Sequence, residues 1–109
     1  MEKNIFDPGN IFRFNESVDY SADGIISKRV LDRPVGTVTL FSFDKGQRLS
    51  THSAPFDAMV QVMEGNAEIV INEKPYQLQA GDSIIMPAGI PHAVNAVEKF
   101  KMVLTMIKG

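Results

Sequence analysis

The 109-residue chain has no cysteine and only two histidines, His52 and His92. Without a thiol there is no disulfide framework, no thiolate metal site and no cysteine nucleophile. Metal or acid/base chemistry must therefore come from His, Asp, Glu or hydroxyl groups. An excess of one charge is also missing. Eleven basic residues stand against thirteen acidic ones, a net charge of -2 with no run of either sign, which excludes the basic footprint of a nucleic-acid binder. No segment approaches the roughly 20 apolar residues that cross a bilayer. The opening Met1-Glu2-Lys3-Asn4-Ile5-Phe6-Asp7-Pro8 lacks the apolar run of a signal peptide. These absences lead us to expect a cytoplasmic protein with neither nucleic acid nor membrane as a partner. Linkers, low-complexity tracts and internal repeats are absent too. A chain of this length holds one hydrophobic core and is too short for two, so a single domain over 1–109 is expected.

What is present is a strand-forming pattern. Hydrophobic residues make up 44% of the chain against 22% charged, the balance of an ordinary globular protein. Turn signals recur at Asp23-Gly24, Pro34-Val35-Gly36, Lys45-Gly46, Glu64-Gly65-Asn66, Asn72-Glu73, Gly81-Asp82 and Pro87-Ala88-Gly89, at the spacing of about 8 to 12 residues that suits a sandwich or barrel of short strands. Between them, period-two segments rich in β-branched and aromatic residues predict strands over 25–31, 35–43, 58–63, 67–71, 83–86 and 100–107. The N-terminal stretch is ambiguous, since Ile11, Phe14 and Val18 fit a helical face while Phe12 and Phe14 fit a strand. The fold class is all-β.

Two segments carry the histidines. In the second, Gly81, Pro87, Gly89 and His92 are spaced as a Gly, five residues, Pro, one residue, Gly, two residues and His. In the first, Gly46, His52 and Gly65 bracket a strand-like run. Together they resemble the two motifs of the cupin family, whose fold is a jelly-roll barrel or double-stranded β-helix. The resemblance covers about 35–107 and leaves 1–24 as an N-terminal segment, expected to form a strand or a dimer contact. It implies a homodimer, to which Ile5, Phe6, Ile11 and Phe12 would lend apolar contacts. It also implies a divalent metal ion as cofactor, held by three histidines and a glutamate. Here only His52 and His92 stand at those positions, while Ala54 and Ala58 replace the other two.

Residues two apart on a strand share a face, which is how a His-x-His pair aims both rings at one ion. With Ala54 in that pair, two imidazoles and no carboxylate under-fill a site for zinc, iron, manganese or nickel. Asp57 is one residue out of register with the vacated carboxylate position and is expected on the other face unless a bulge turns it. Gln61 has the same wrong parity. Met59, Met63, Met86, Met102 and Met106 offer thioethers that suit copper(I) beside imidazole. Their simpler role is core filling, because Phe100, Met102, Leu104 and Met106 share one strand face. Ser50 and Ser53 flank His52 without an elbow motif, and the scattered glycines make no phosphate loop.

The favoured reading is a module that binds a small organic ligand in the barrel, with His52 and His92 as polar anchors and Met102 and Met106 in the lining. The alternative is a metal-dependent isomerase, lyase or oxygenase in which substrate and water complete the shell around His52 and His92. A third is an interaction scaffold with a plain core. Whether the protein is an enzyme stays open among these, and no catalytic residue is assigned.

Overall fold

The computed structural model describes residues 4–108. Residues 1–3 of the N-terminal segment lie outside the described residues, as does residue 109. The elements are a 3-10 turn Phe14–Glu16 and strands β1 Ile25–Arg33, β2 Gly36–Phe43, β3 Arg48–His52, β4 Asp57–Ile71, β5 Lys74–Gln79, β6 Ser83–Met86, β7 His92–Asn95 and β8 Phe100–Ile107. All pairings are antiparallel, and the order β1-β2-β8-β4-β7-β3, with β5 and β6 also on β4, curls into the jelly-roll barrel.

Strand β4 organises the fold. Its 15 residues exceed the usual strand length because it serves both layers. Asp57 to Gly65 pair with β8 and Ala58 to Gln61 with β6, then Asn66 to Ile71 pair with β5 and Glu68 to Ile71 with β7. The sequence pattern predicts a turn at Glu64-Gly65-Asn66. The chain instead runs through, with a register shift between Val62 and Glu64 and Gly65 at φ 81. Only glycine suits this crossing: the backbone is left-handed, and a Cβ there would overlap the Lys99 carbonyl oxygen. At the far end of β4, Asn72 and Glu73 both have positive φ and form the two-residue loop into β5.

The inner faces enclose Phe43, Val60, Val62, Ala67, Ile69, Phe100 and Met102, each about 1% exposed or less. Phe43 and Phe100 stack at 4.6 Å with planes 10° apart and close one end of the barrel. Burial of such a ring stabilises the fold by about 1.5–3 kcal/mol.

Residues 4–24 form no strand. They lie over the outer face of β2 and β8, where Val18 packs with Leu40 and Val103 and is flanked by Phe6 and Phe14. Side chains from the sheet take up alternate carbonyls of this segment. Lys101 Nζ donates to Asn15 at 2.5 Å, Lys28 Nζ to Ser17 at 2.9 Å and the Ser42 hydroxyl to Asp19 at 2.7 Å. A segment outside a sheet satisfies its carbonyls this way instead of by a ladder. Phe14 and Val18 do share an inward side, as the helical pattern suggests, while Ile11 is fully exposed. No helix among the described residues is long and apolar enough to cross a membrane.

Candidate functional site

The two histidines come together across β3 and β7, where His52 and His92 are directly opposed. Their ring centroids lie 4.5 Å apart with planes at 67°. Each ring is oriented by a carbonyl two residues back on its own strand or turn: His52 Nδ1 lies 2.9 Å from Ser50 O, and His92 Nδ1 lies 3.3 Å from Ile90 O. A carbonyl only accepts, so Nδ1 carries the proton and the lone pair of the neutral ring falls on Nε2. Both rings thus hold a free Nε2 acceptor. His92 is buried and His52 exposed. Burial lowers the His92 pKa, and the neighbouring His52 lowers it further, against the opposing effect of the Ile90 carbonyl.

The imidazoles border an apolar cavity of about 40 Å³, lined also by Ala54, Ala58, Met86, Met102, Leu104 and Met106. Met102 and Met106, expected in the lining, are both there. The alternation along β8 places them, since Met102 and Met106 fall on the face of Phe100. Met86 is the third interior thioether, and it lies directly opposite Ala58 across β4 and β6. Met59 borders a separate outer groove with Ile85 and Ile107, and Met63 packs under the N-terminal segment. Leu49 and Val94 also line the cavity; the period-two pattern cannot single them out, because β3 is polar apart from Leu49 and β7 is buried on successive residues.

Asp57 stays on the outer face. Its Oδ1 accepts from the Ala88 N–H at 2.8 Å, so it braces the Pro87-Ala88-Gly89 turn and does not reach the histidines. Ser50 contributes its carbonyl to His52, and Ser53 is exposed.

The arrangement fits a divalent ion poorly. No group of three His, Cys, Asp or Glu residues occurs among the described residues, and Ala54 and Ala58 contribute methyl groups to the wall. Two imidazoles beside an apolar cavity leave a double charge without an anionic partner. The interior is also smaller than the ligand reading anticipates. It falls far below the roughly 300–1,000 Å³ that encloses a drug-sized molecule. A larger outer groove of about 500 Å³ reaches His92 from Thr51, Val70, Asn72, Glu73 and Pro91.

A conserved protein of unknown function from Streptococcus pyogenes is 40% identical, covers 97% of this chain and 93% of its own, and superposes with a TM-score of 0.91. A cupin 2 conserved barrel domain protein from Leptotrichia buccalis is 41% identical over 89% of this chain and 47% of its own, with a TM-score of 0.87. A cupin superfamily protein from Desulfitobacterium hafniense shares the fold over the full length of both chains, with a TM-score of 0.90 at 18% identity. No curated protein matches the sequence. The family model described as Cupin domain matches residues 39–108, more than half of the sequence, and the chain belongs to the cupin family.

Proposed function

We propose that this cupin is a binding module for a small organic molecule taken end-on. An apolar tip of a few atoms enters the cavity beside Met102 and Met106, and a polar group meets the two imidazoles. The observation that carries this reading is the pair of Nε2 acceptors at the rim, each aimed by a carbonyl behind its ring. Such a pair calls for a donor on the ligand, a hydroxyl or amide N–H, and disfavours a carboxylate, which only accepts. The remainder of the ligand stays outside, because 40 Å³ admits only its tip. Self-association belongs to the same reading: Ile5 and Ile11 remain exposed on the N-terminal segment, and a monomer by light scattering at micromolar concentration would remove it.

The test is a thermal-shift screen of short-chain alcohols and amides against the protein and a His52→Ala, His92→Ala variant. A hit at 100 times its Kd stabilises the native protein by about 2.7 kcal/mol. The variant is expected to lose that shift. Equal shifts in both proteins sink the proposal. Elemental analysis after supply of zinc, iron and manganese decides the metalloenzyme alternative, which requires stoichiometric metal that the double variant loses.

A further inference from the structure

The wall opposite the histidines has its own chemistry. Ala58 sits on β4 between two direct cross-strand neighbours, Met86 on β6 and Met106 on β8. Directly opposed residues hold their Cβ atoms about 4.5–5.5 Å apart on one face, so two thioethers flank the Ala58 methyl and extend past it. Both line the small cavity that His52 and His92 border from the other sheet. Two imidazoles and three methionines, Met86, Met106 and Met102, therefore border one space with no carboxylate in its lining.

We propose that His52, His92, Met86 and Met106 form a site for a single soft monovalent metal ion, copper(I) or silver(I). Softness is the first reason: thioether sulfur selects copper(I) over zinc, iron, manganese or magnesium, and imidazole serves copper equally well. Charge is the second. A wall without anions suits one positive charge better than two. Size is the third. A cavity of about 40 Å³ accommodates an ion, since one water-sized occupant needs about 10–15 Å³ on that scale. Orientation is the fourth, because a carbonyl behind Nδ1 is the arrangement that presents Nε2 to a metal. The substitution of Ala58 for a carboxylate thus changes which metal the barrel suits instead of only emptying it. The ion is a different occupant from the organic ligand proposed above, although both use the Nε2 atoms. The methionines tell them apart.

The full chain is titrated anaerobically with copper(I) in competition with a chromophoric copper(I) chelator, and with silver(I) as a redox-inert probe. X-ray absorption then reads the first shell. One equivalent bound through nitrogen and sulfur is expected. The Met86→Leu, Met106→Leu variant keeps core volume and is expected to weaken binding by about tenfold or more with loss of the sulfur shell. Unchanged affinity in that variant, or a shell of nitrogen and oxygen alone, overturns the proposal. If the double variant melts early, Met86→Leu and Met106→Leu are read singly, and wild-type affinity in both is equally fatal. An organic hit from the thermal-shift screen still binds the leucine variant, so loss of metal with retention of that hit supports the ion site, whereas a hit without any metal binding overturns the ion site alone.

Discussion

The two ends of the barrel are lined by the same strands and behave as opposites. On β8, Phe100 at one end is sealed against Phe43 in a stacked pair. Six residues along the same face, Met106 borders the cavity beside the two imidazoles. On β4, Val62 is fully buried toward the first end, and Ala58 toward the second leaves space that its methyl does not fill. Rigid rings close one end, and small or flexible side chains with two polar rings leave the other open. Tight packing and open space are therefore divided along single strands.

The most direct way to break this contrast is to exchange the roles of the ends. Phe100→Ala is expected to cost about 3–5 kcal/mol in urea unfolding, and Met106→Ala clearly less, because Met106 is only partly buried at an existing cavity. Equal costs would show that the open end is packed as tightly as the closed one. Gly65→Ala tests the crossing that lets β4 serve both layers. A left-handed alanine costs about 1–2 kcal/mol and overlap with the Lys99 carbonyl adds about 1–3 kcal/mol, so chemical denaturation is expected to show a loss of roughly 2–5 kcal/mol.

Tyr20 sharpens the comparison from the outer face, where a half-buried hydrogen bond does the holding. Its hydroxyl donates to Glu64 Oε2 at 2.6 Å. Burial pushes its pKa up, and the Glu64 hydrogen bond and charge push it further. The folded state therefore holds the phenol proton after the unfolded chain, titrating near pH 10, has released it. Stability from this group is complete below that pH and is lost as pH rises above it. Melts from pH 9 to 11 should show this decline, and Tyr20→Phe should flatten it. The smallest effect is expected for Asp57→Ala, about 0.5–1.5 kcal/mol from the lost bond to the Ala88 N–H. Binding at the histidines should be unchanged, since the carboxylate serves a turn on the outer face.

Much of the barrel was legible because alternation is a local signal. Segments 25–31, 83–86 and 100–107 map onto β1, β6 and β8 with little or no change at their ends. Three strands escaped the pattern for separate reasons. β3 has Leu49 as its one apolar residue, and β7 is buried through His92, Ala93 and Val94, so neither alternates. β5 contains Pro75 and polar Gln77 and Gln79, and it tolerates them as an edge strand bonded to β4 alone. The division at Glu64-Gly65-Asn66 read a real backbone feature, a left-handed glycine, as a turn, whereas tertiary pairing on both sides made it a crossing. At the site, motif spacing identified both histidines and both alanines, and parity excluded Asp57. Met86 was only one of five methionines, since no local rule separates a thioether that faces the cavity from one on an outer groove.

By itself the sequence determined an all-β barrel of the cupin kind, two histidines and two alanines at the spacings where the resemblance implies metal ligands, and the absence of any thiol. Those are matters of residue type, period and spacing along the chain. The tertiary structure decided the rest. It set the imidazoles 4.5 Å apart with Nε2 free, placed Met86 and Met106 on either side of Ala58, and folded the N-terminal segment onto its own sheet. These depend on cross-strand register and on how far opposing side chains fill the space between two layers, which are properties of neighbours in space and not in sequence.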